Sequence, residues 1–150
     1  MIRLQRTDSS NPDFTELVKL LDAELAERDG DEHSFYAPFN KTAVLRHAVV
    51  AYENDQPVSC GAIKDFSPGV MEVKRMYTLP ASRGKGIAGI VLAELEKWAG
   101  ESGGTKCILE TGLRQPEAIA LYKRSGYRQI ENYGQYAGVY NSVCFEKPVG

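Results

Sequence analysis

The sequence has no apolar run approaching the roughly 20 residues of a bilayer span. Its opening, MIRLQRTDSSNPDF, lacks the apolar core of a secretory signal. Neither a membrane segment nor export is expected. Metal-binding side chains are scarce and scattered. Cys60, Cys107 and Cys144 lie far apart in strand-like apolar runs, and His33 and His47 form no pair with them. Metal sites want closely spaced Cys and His, so none is expected. Three scattered thiols fit reduced, buried cysteines in a cytoplasmic protein better than a disulfide framework. Neither sign of charge is in excess: the net charge of −2 excludes a broad nucleic-acid surface, although not a local basic pocket. Repeats, long linkers and low-complexity tracts are missing too. What remains is 43% apolar and 25% charged, ordinary for a globular chain. At 150 residues it can bury one core, so a single domain over residues 1–150 is expected.

Ile2–Gln5 suits a short strand. Asn11 before Pro12 is a helix start, and Phe14, Leu17, Val18, Leu21 and Leu25 then recur at helical spacing until Asp29-Gly30. Residues 31–45, polar with interspersed aromatics, suit a short helix or ordered loop. HAVVAYENDQPVSCGAIKDF contains two strands around the turn Glu53–Gln56, and SPGV leads to a third strand over Val70–Leu79. From about Gly86, the residues Ile87, Ala88, Val91, Leu92, Leu95, Trp98 and Ala99 make an apolar helical stripe with Glu94, Glu96, Lys97 and Glu101 opposite. A strand follows at Lys106–Glu110, a helix from Pro116 to before Gly126, and strands at YRQIEN and NSVCFEK. The expected class is α+β.

Between the third strand and the stripe lies RGKGIAG, Arg83–Gly89. Its glycines match G-x-G-x-x-G, and Glu110 ends the next strand about where a ribose-binding acid belongs. Against a dinucleotide fold, Leu79–Arg83 separates strand from glycine, and an antiparallel meander precedes the loop. A Walker A loop is excluded because Gly86, not Ser or Thr, follows Lys85. The bland alternative is a glycine turn that merely starts a helix. Helix-start amides, a dipole end, flexible glycines and two cations nonetheless make a seat for a pyrophosphate.

Arg83-x-x-Gly86-x-Ala88 resembles the [Q/R]-x-x-G-x-[G/A] acetyl-coenzyme A loop of the GNAT acyltransferase family. EVKRMYTLPASRGKGIAGIVLAELEKWA is similar to that family's strand, loop and helix, and EAIALYKRSGYR to its A-x-x-L-Y-x-x-x-G-[FY] segment. The resemblance covers about residues 70–128. It implies a mixed, mostly antiparallel sheet of six or seven strands flanked by about four helices. It implies an acetyl-CoA-dependent N-acetyltransferase acting on a small amine, an amino acid or polyamine among them, by direct attack in a ternary complex. A protein amino group is a second acceptor class. A non-catalytic acyl-CoA-binding module and, more remotely, an NAD-binding oxidoreductase stay open as alternatives. Sheet-edge strands at the C-terminal end allow a homodimer.

The resemblance also assigns roles. Pyrophosphate lies on the amides of Gly84, Lys85, Gly86, Ile87 and Ala88, with Arg83 nearby. The pantetheine arm follows Met76, Tyr77 and Thr78, and the Met76 N–H stabilises the oxyanion. Gln115 stands where the family commonly has an asparagine on that arm. Tyr122 protonates the departing thiolate; its ordinary alternative is a packing aromatic. Glu72 is a candidate base for the protonated amine, and Glu110 competes for that role or anchors the ammonium. Simple alternation puts Val70, Glu72, Lys74 and Met76 on one strand face, and Met71, Val73, Arg75 and Tyr77 on the other. Candidate acceptor contacts are Tyr36, Phe39, Tyr133 and Tyr136 as walls, with Arg28 or Arg75 for a carboxylate.

Overall fold

Asn11 does start the first helix. Its Oδ1 accepts from the amides of Asp13 at 2.8 Å and Phe14 at 3.2 Å, so a short polar side chain satisfies donors that the helix cannot. The computed structural model describes residues 1–29 and 44–150. In order, the elements are β1 (Ile2–Thr7), α1 (Pro12–Asp29), β2 (His47–Glu53), β3 (Gln56–Ser67), β4 (Val70–Thr78), α2 (Ile87–Glu101), β5 (Lys106–Gly112), α3 (Pro116–Arg124), β6 (Arg128–Ile130) and β7 (Ser142–Pro148). Single 3-10 turns lie at Pro80–Ser82 and Gly134–Tyr136. The strands hydrogen-bond in the order β1-β2-β3-β4-β5-β7-β6, seven in one mixed sheet. That matches the expected class. Three α-helices stand among the described residues; the short helix or loop expected over 31–45 falls almost wholly outside them. No described helix is long and apolar enough to cross a membrane.

Contacts divide the chain into two compact units, Met1–Lys64 with Val73–Leu95, and Asp65–Glu72 with Glu96–Gly150. In the first, β1, β2 and β3 pair antiparallel. The β2–β3 turn uses left-handed Asn54 and Asp55, residue types that tolerate positive φ in a tight hairpin. Phe14, Leu17, Val18, Leu21 and Leu25 are all buried, and they share a core with Ala48, Val50, Tyr52, Cys60, Ala62 and Tyr77. Burial of these side chains, worth ~1.5–3 kcal/mol for each large one, fastens α1 to the sheet. In the second unit, β4 pairs parallel with β5 over Val70–Glu72 opposite Lys106–Ile108. β5 then runs antiparallel to β7 through all seven residues, placing Glu110 opposite Cys144. Glu96, expected on a solvated helix face, is instead paired with Lys147 at 2.9 Å and only 12% exposed.

Arg75 has φ +59° inside β4, a left-handed conformation uncommon for a residue with a side chain. Around it, in the first unit, Arg75 and Tyr77 face α1 while Met76 lies toward Val91 and Leu95 of α2.

Gly61 sets the approach of β3 to α2. A Cβ there would overlap the Met76 sulfur and stand 2.8 Å from Leu95 Cδ1 and 3.3 Å from Val91 Cγ1. Gly61→Val is expected to lower stability by ~1–3 kcal/mol through overpacking, with Gly61→Ala milder because a thioether can swing aside. Urea midpoints of both variants check the order.

Candidate functional site

In the first unit the loop begins where β4 ends. Leu79 N–H donates to Val58 O at 2.8 Å, and the Pro80–Ser82 turn carries the chain to Arg83. Gly84 and Gly86 then take φ of +80° and +79°, and a Cβ on either would meet no protein atom within 4 Å. Glycine is the residue for such positions. The Ile90 amide closes the first helical turn onto Gly86 O at 3.2 Å. The amides at the start of α2 therefore lack intrahelical acceptors, and the positive dipole end lies at this exposed loop. Such a cradle, with space where side chains would stand, fits a coenzyme A pyrophosphate.

The cations around the loop are paired. Arg83 donates to Thr78 O at 2.9 Å and to Glu24 at 2.8 Å. Lys85 faces Glu53 at 3.5 Å, and Arg28 faces Glu24 at 3.9 Å. Arg75 is buried, its guanidinium bonded to Asp22. Three carbonyls near the end of β4 accept from side chains: Arg75 O from the Cys60 thiol at 3.4 Å, Tyr77 O from Ser59 at 2.9 Å, and Thr78 O from Arg83. Ser59 Oγ also lies 2.8 Å from Thr78 Oγ1. Ser59 and Glu24 carry no motif that would have singled them out in the sequence.

The second unit gathers carboxylates and phenols. Glu72, 2% exposed, accepts a hydrogen bond from the Tyr133 hydroxyl at 2.7 Å. Tyr133 meets Phe66 and Tyr136 edge-on, with ring centroids 5.2 and 5.8 Å apart. Burial, with the Glu72 charge second, pushes the Tyr133 phenol far above its ordinary range. Tyr136 is raised by burial, then Glu110, then Glu72. Tyr122, at the buried face of α3 beside Tyr127 and Phe145, is raised by burial and then by Glu110. All three phenols thus hold their protons at neutral pH. Glu72, Glu110, Tyr122, Tyr133 and Tyr136 are brought together as one cluster. Phe66, at the exposed end of β3, belongs to it without any sequence signal. Gln115 caps α3 with its backbone, accepting from Ala118 and Ile119. Tyr36 and Phe39 lie outside the described residues. Among the described residues, no group of three or more His, Cys, Asp or Glu is placed to hold a metal.

Seven strands in this order, with a glycine loop leading from β4 towards α2, define an acyltransferase fold that known proteins share. The chain belongs to the acetyltransferase (GNAT) family, whose model matches residues 9–127. It is 37% identical over 102 residues to an IAA acetyltransferase of Azospirillum brasilense, 67% of each chain being covered. It spans about half the length of several other curated N-acetyltransferases that it matches. Among solved structures, a chain from Klebsiella pneumoniae assigned as an acyl-CoA N-acyltransferase superposes with a TM-score of 0.83 at 30% identity, covering 100% of this chain and 99% of that one. The fold alone is shared, at 15% identity, TM-score 0.69 and 99% coverage of each chain, with the PaiA N-acetyltransferase of Thermoplasma acidophilum, solved in complex with coenzyme A. The protein is an acyltransferase.

The thiols are withdrawn from chemistry. Burial pushes Cys60 up to about 12, and Cys107 and Cys144 up to about 11, from an ordinary 9.0. Unfolded thiols lose their protons first, so the unfolded state binds fewer protons above pH 9. The stability this contributes is full below that value and falls as pH rises through 11 to 12. A thiol reagent at pH 8 is expected to label almost none of the three cysteines natively and all of them in denaturant. Urea midpoints should fall steadily above about pH 9.

Proposed function

We propose that the chain, as one acetyltransferase domain, moves an acetyl group from acetyl-coenzyme A to the primary amine of a small molecule, by direct attack in a ternary complex. The observation that carries this reading is the buried Glu72 carboxylate, held by a neutral phenol in a cluster that includes Tyr122 and Glu110. A module that only binds acyl-CoA needs the glycine cradle and has no use for this cluster.

An amine arrives as an ammonium, and Glu72 takes its proton, directly or through water, before the nitrogen attacks the thioester carbonyl. The Met76 N–H donates to the oxygen on which charge develops. As the C–S bond breaks, Tyr122 gives its proton to the thiolate sulfur, the phenol is restored by the second proton that the acylated nitrogen sheds, and Glu72 releases the first proton to water. The raised affinity of Tyr122 for its proton keeps it in the donor form at neutral pH. Tyr133 orients Glu72. The amides of Gly84–Ala88 and Lys85 take the pyrophosphate charge, and Met76, Tyr77 and Thr78 carry the pantetheine arm.

Thiol release from acetyl-CoA across amines, amino acids and polyamines tests the activity. A thermal-shift titration should show stabilisation by acetyl-CoA and coenzyme A and none by NAD; the reverse pattern would defeat the reading. Tyr122→Phe is expected to lower kcat by about 100-fold with coenzyme A binding nearly intact. Unchanged turnover would remove Tyr122 from the mechanism. Glu72→Gln should lose most at low pH, where nearly every amine is protonated and a base is most needed. A loss that is flat with pH would hand the role to Glu110 or water.

A further inference from the structure

A cation at the start of a phosphate cradle suggests a phosphate ligand, yet the Arg83 guanidinium is directed away from that task. Its Nε donates to Thr78 O at 2.9 Å and its Nη2 to Glu24 Oε1 at 2.8 Å. Its Cζ stands 5.6 Å from the centroid of the Tyr77 ring, within the range of a cation–π contact. Three partners on two elements hold one planar group. The Nε edge and the Nη edge of a guanidinium point in different directions, so a single arginine can bond a strand carbonyl and a helix carboxylate at once. Glu24 neutralises most of the charge that Arg83 would show to an anion, and Glu24 is itself backed by Arg28 at 3.9 Å.

The strand end that Arg83 grips is fixed from its other side. Thr78 Oγ1 meets Ser59, and Ser59 donates to Tyr77 O. With Cys60 on Arg75 O, side chains hold successive stations of β4 on either side of Met76. Arg83 adds the last of these ties, and it is the one that joins β4 to the glycine loop.

We infer that Arg83 is a positioning residue. It locks the start of the glycine loop to the end of β4 and to α1, setting phosphate cradle and strand end in register, while loop amides, helix start and Lys85 bear the phosphate charge. The inference rests on the proposed acetyl transfer for its consequence in turnover and on the hydrogen bonds alone for the tie itself.

The test compares acetyl-CoA with acetyl-pantetheine, a donor that lacks the pyrophosphate. Arg83→Ala should lower kcat/KM by the same factor, about 10-fold or more, with both donors. Arg83→Lys should fail to restore it, since one ammonium cannot serve Thr78 O and Glu24 together. A loss seen with acetyl-CoA and missing with acetyl-pantetheine would show a phosphate ligand and overturn the inference. A second readout needs no substrate: hydrogen exchange in the ligand-free protein at the amides of Ser82 and residue 83, which donate to Leu79 O and Pro80 O. Arg83→Ala and Glu24→Gln should each speed that exchange, by about 10-fold for the arginine variant. Unchanged protection in both overturns the tie. Faster exchange in a protein that moves no acetyl group to any amine upholds the tie and defeats the proposed function instead.

Discussion

Arg75 keeps φ at +59° inside β4, a conformation that costs a residue with a side chain about 1–3 kcal/mol. Contacts on every side hold it there. The Cys60 thiol donates to its carbonyl, its guanidinium is buried and bonded to Asp22 of α1, and Tyr77 two residues on sits in the α1 core. Met76 lies toward Val91 and Leu95 while Tyr77 faces α1, so this stretch of β4 is fixed by packing on two helices at once.

The two units handle charge in opposite ways. Around the glycine loop three cations each have an acid: Asp22 with Arg75, Glu24 with Arg83, Glu53 with Lys85. The amide dipoles at the start of α2, by contrast, are fixed and need no counterion. Around Glu72 and Glu110 the neighbours are phenols. A phenol donates its hydrogen bond to such a carboxylate as a neutral group, where an arginine or lysine would bring a charge.

Most of the fold was legible in the chain. The 3.6-residue spacing of Phe14, Leu17, Val18, Leu21 and Leu25 marked α1, and all five are buried. Glycines 84 and 86 announced the loop, and both adopt the left-handed conformation that glycine permits. The positive φ of Arg75 was not legible, because nothing in VKRMY marks it: arginine has no preference for that region, and only tertiary contacts impose it. Glu96 looked solvent-facing by helical position, but it pairs with Lys147 of the last strand, a partner that no local pattern can reveal. Of the candidate site, Tyr122 and Glu72 stood out by motif and position, and Tyr133 as an aromatic wall. Phe66 did not, nor did the contacts of Tyr133 with Glu72 and Phe66, which join residues far apart in the chain.

Burial alone would make Glu72 a liability, since an ionised carboxylate removed from water needs compensation. Tyr133 provides part of it at 2.7 Å, and the bond raises the proton affinity of Tyr133 in turn. Tyr133 therefore stays the donor of this bond, its phenol kept neutral by burial and then by the Glu72 charge. Tyr122 follows the same logic beside Glu110, which strengthens its hold on its own proton. Burial comes before the Glu110 charge in that effect, with the Tyr127 and Phe145 rings packed around the phenol, so the low-dielectric surroundings set the neutral form and the carboxylate reinforces it.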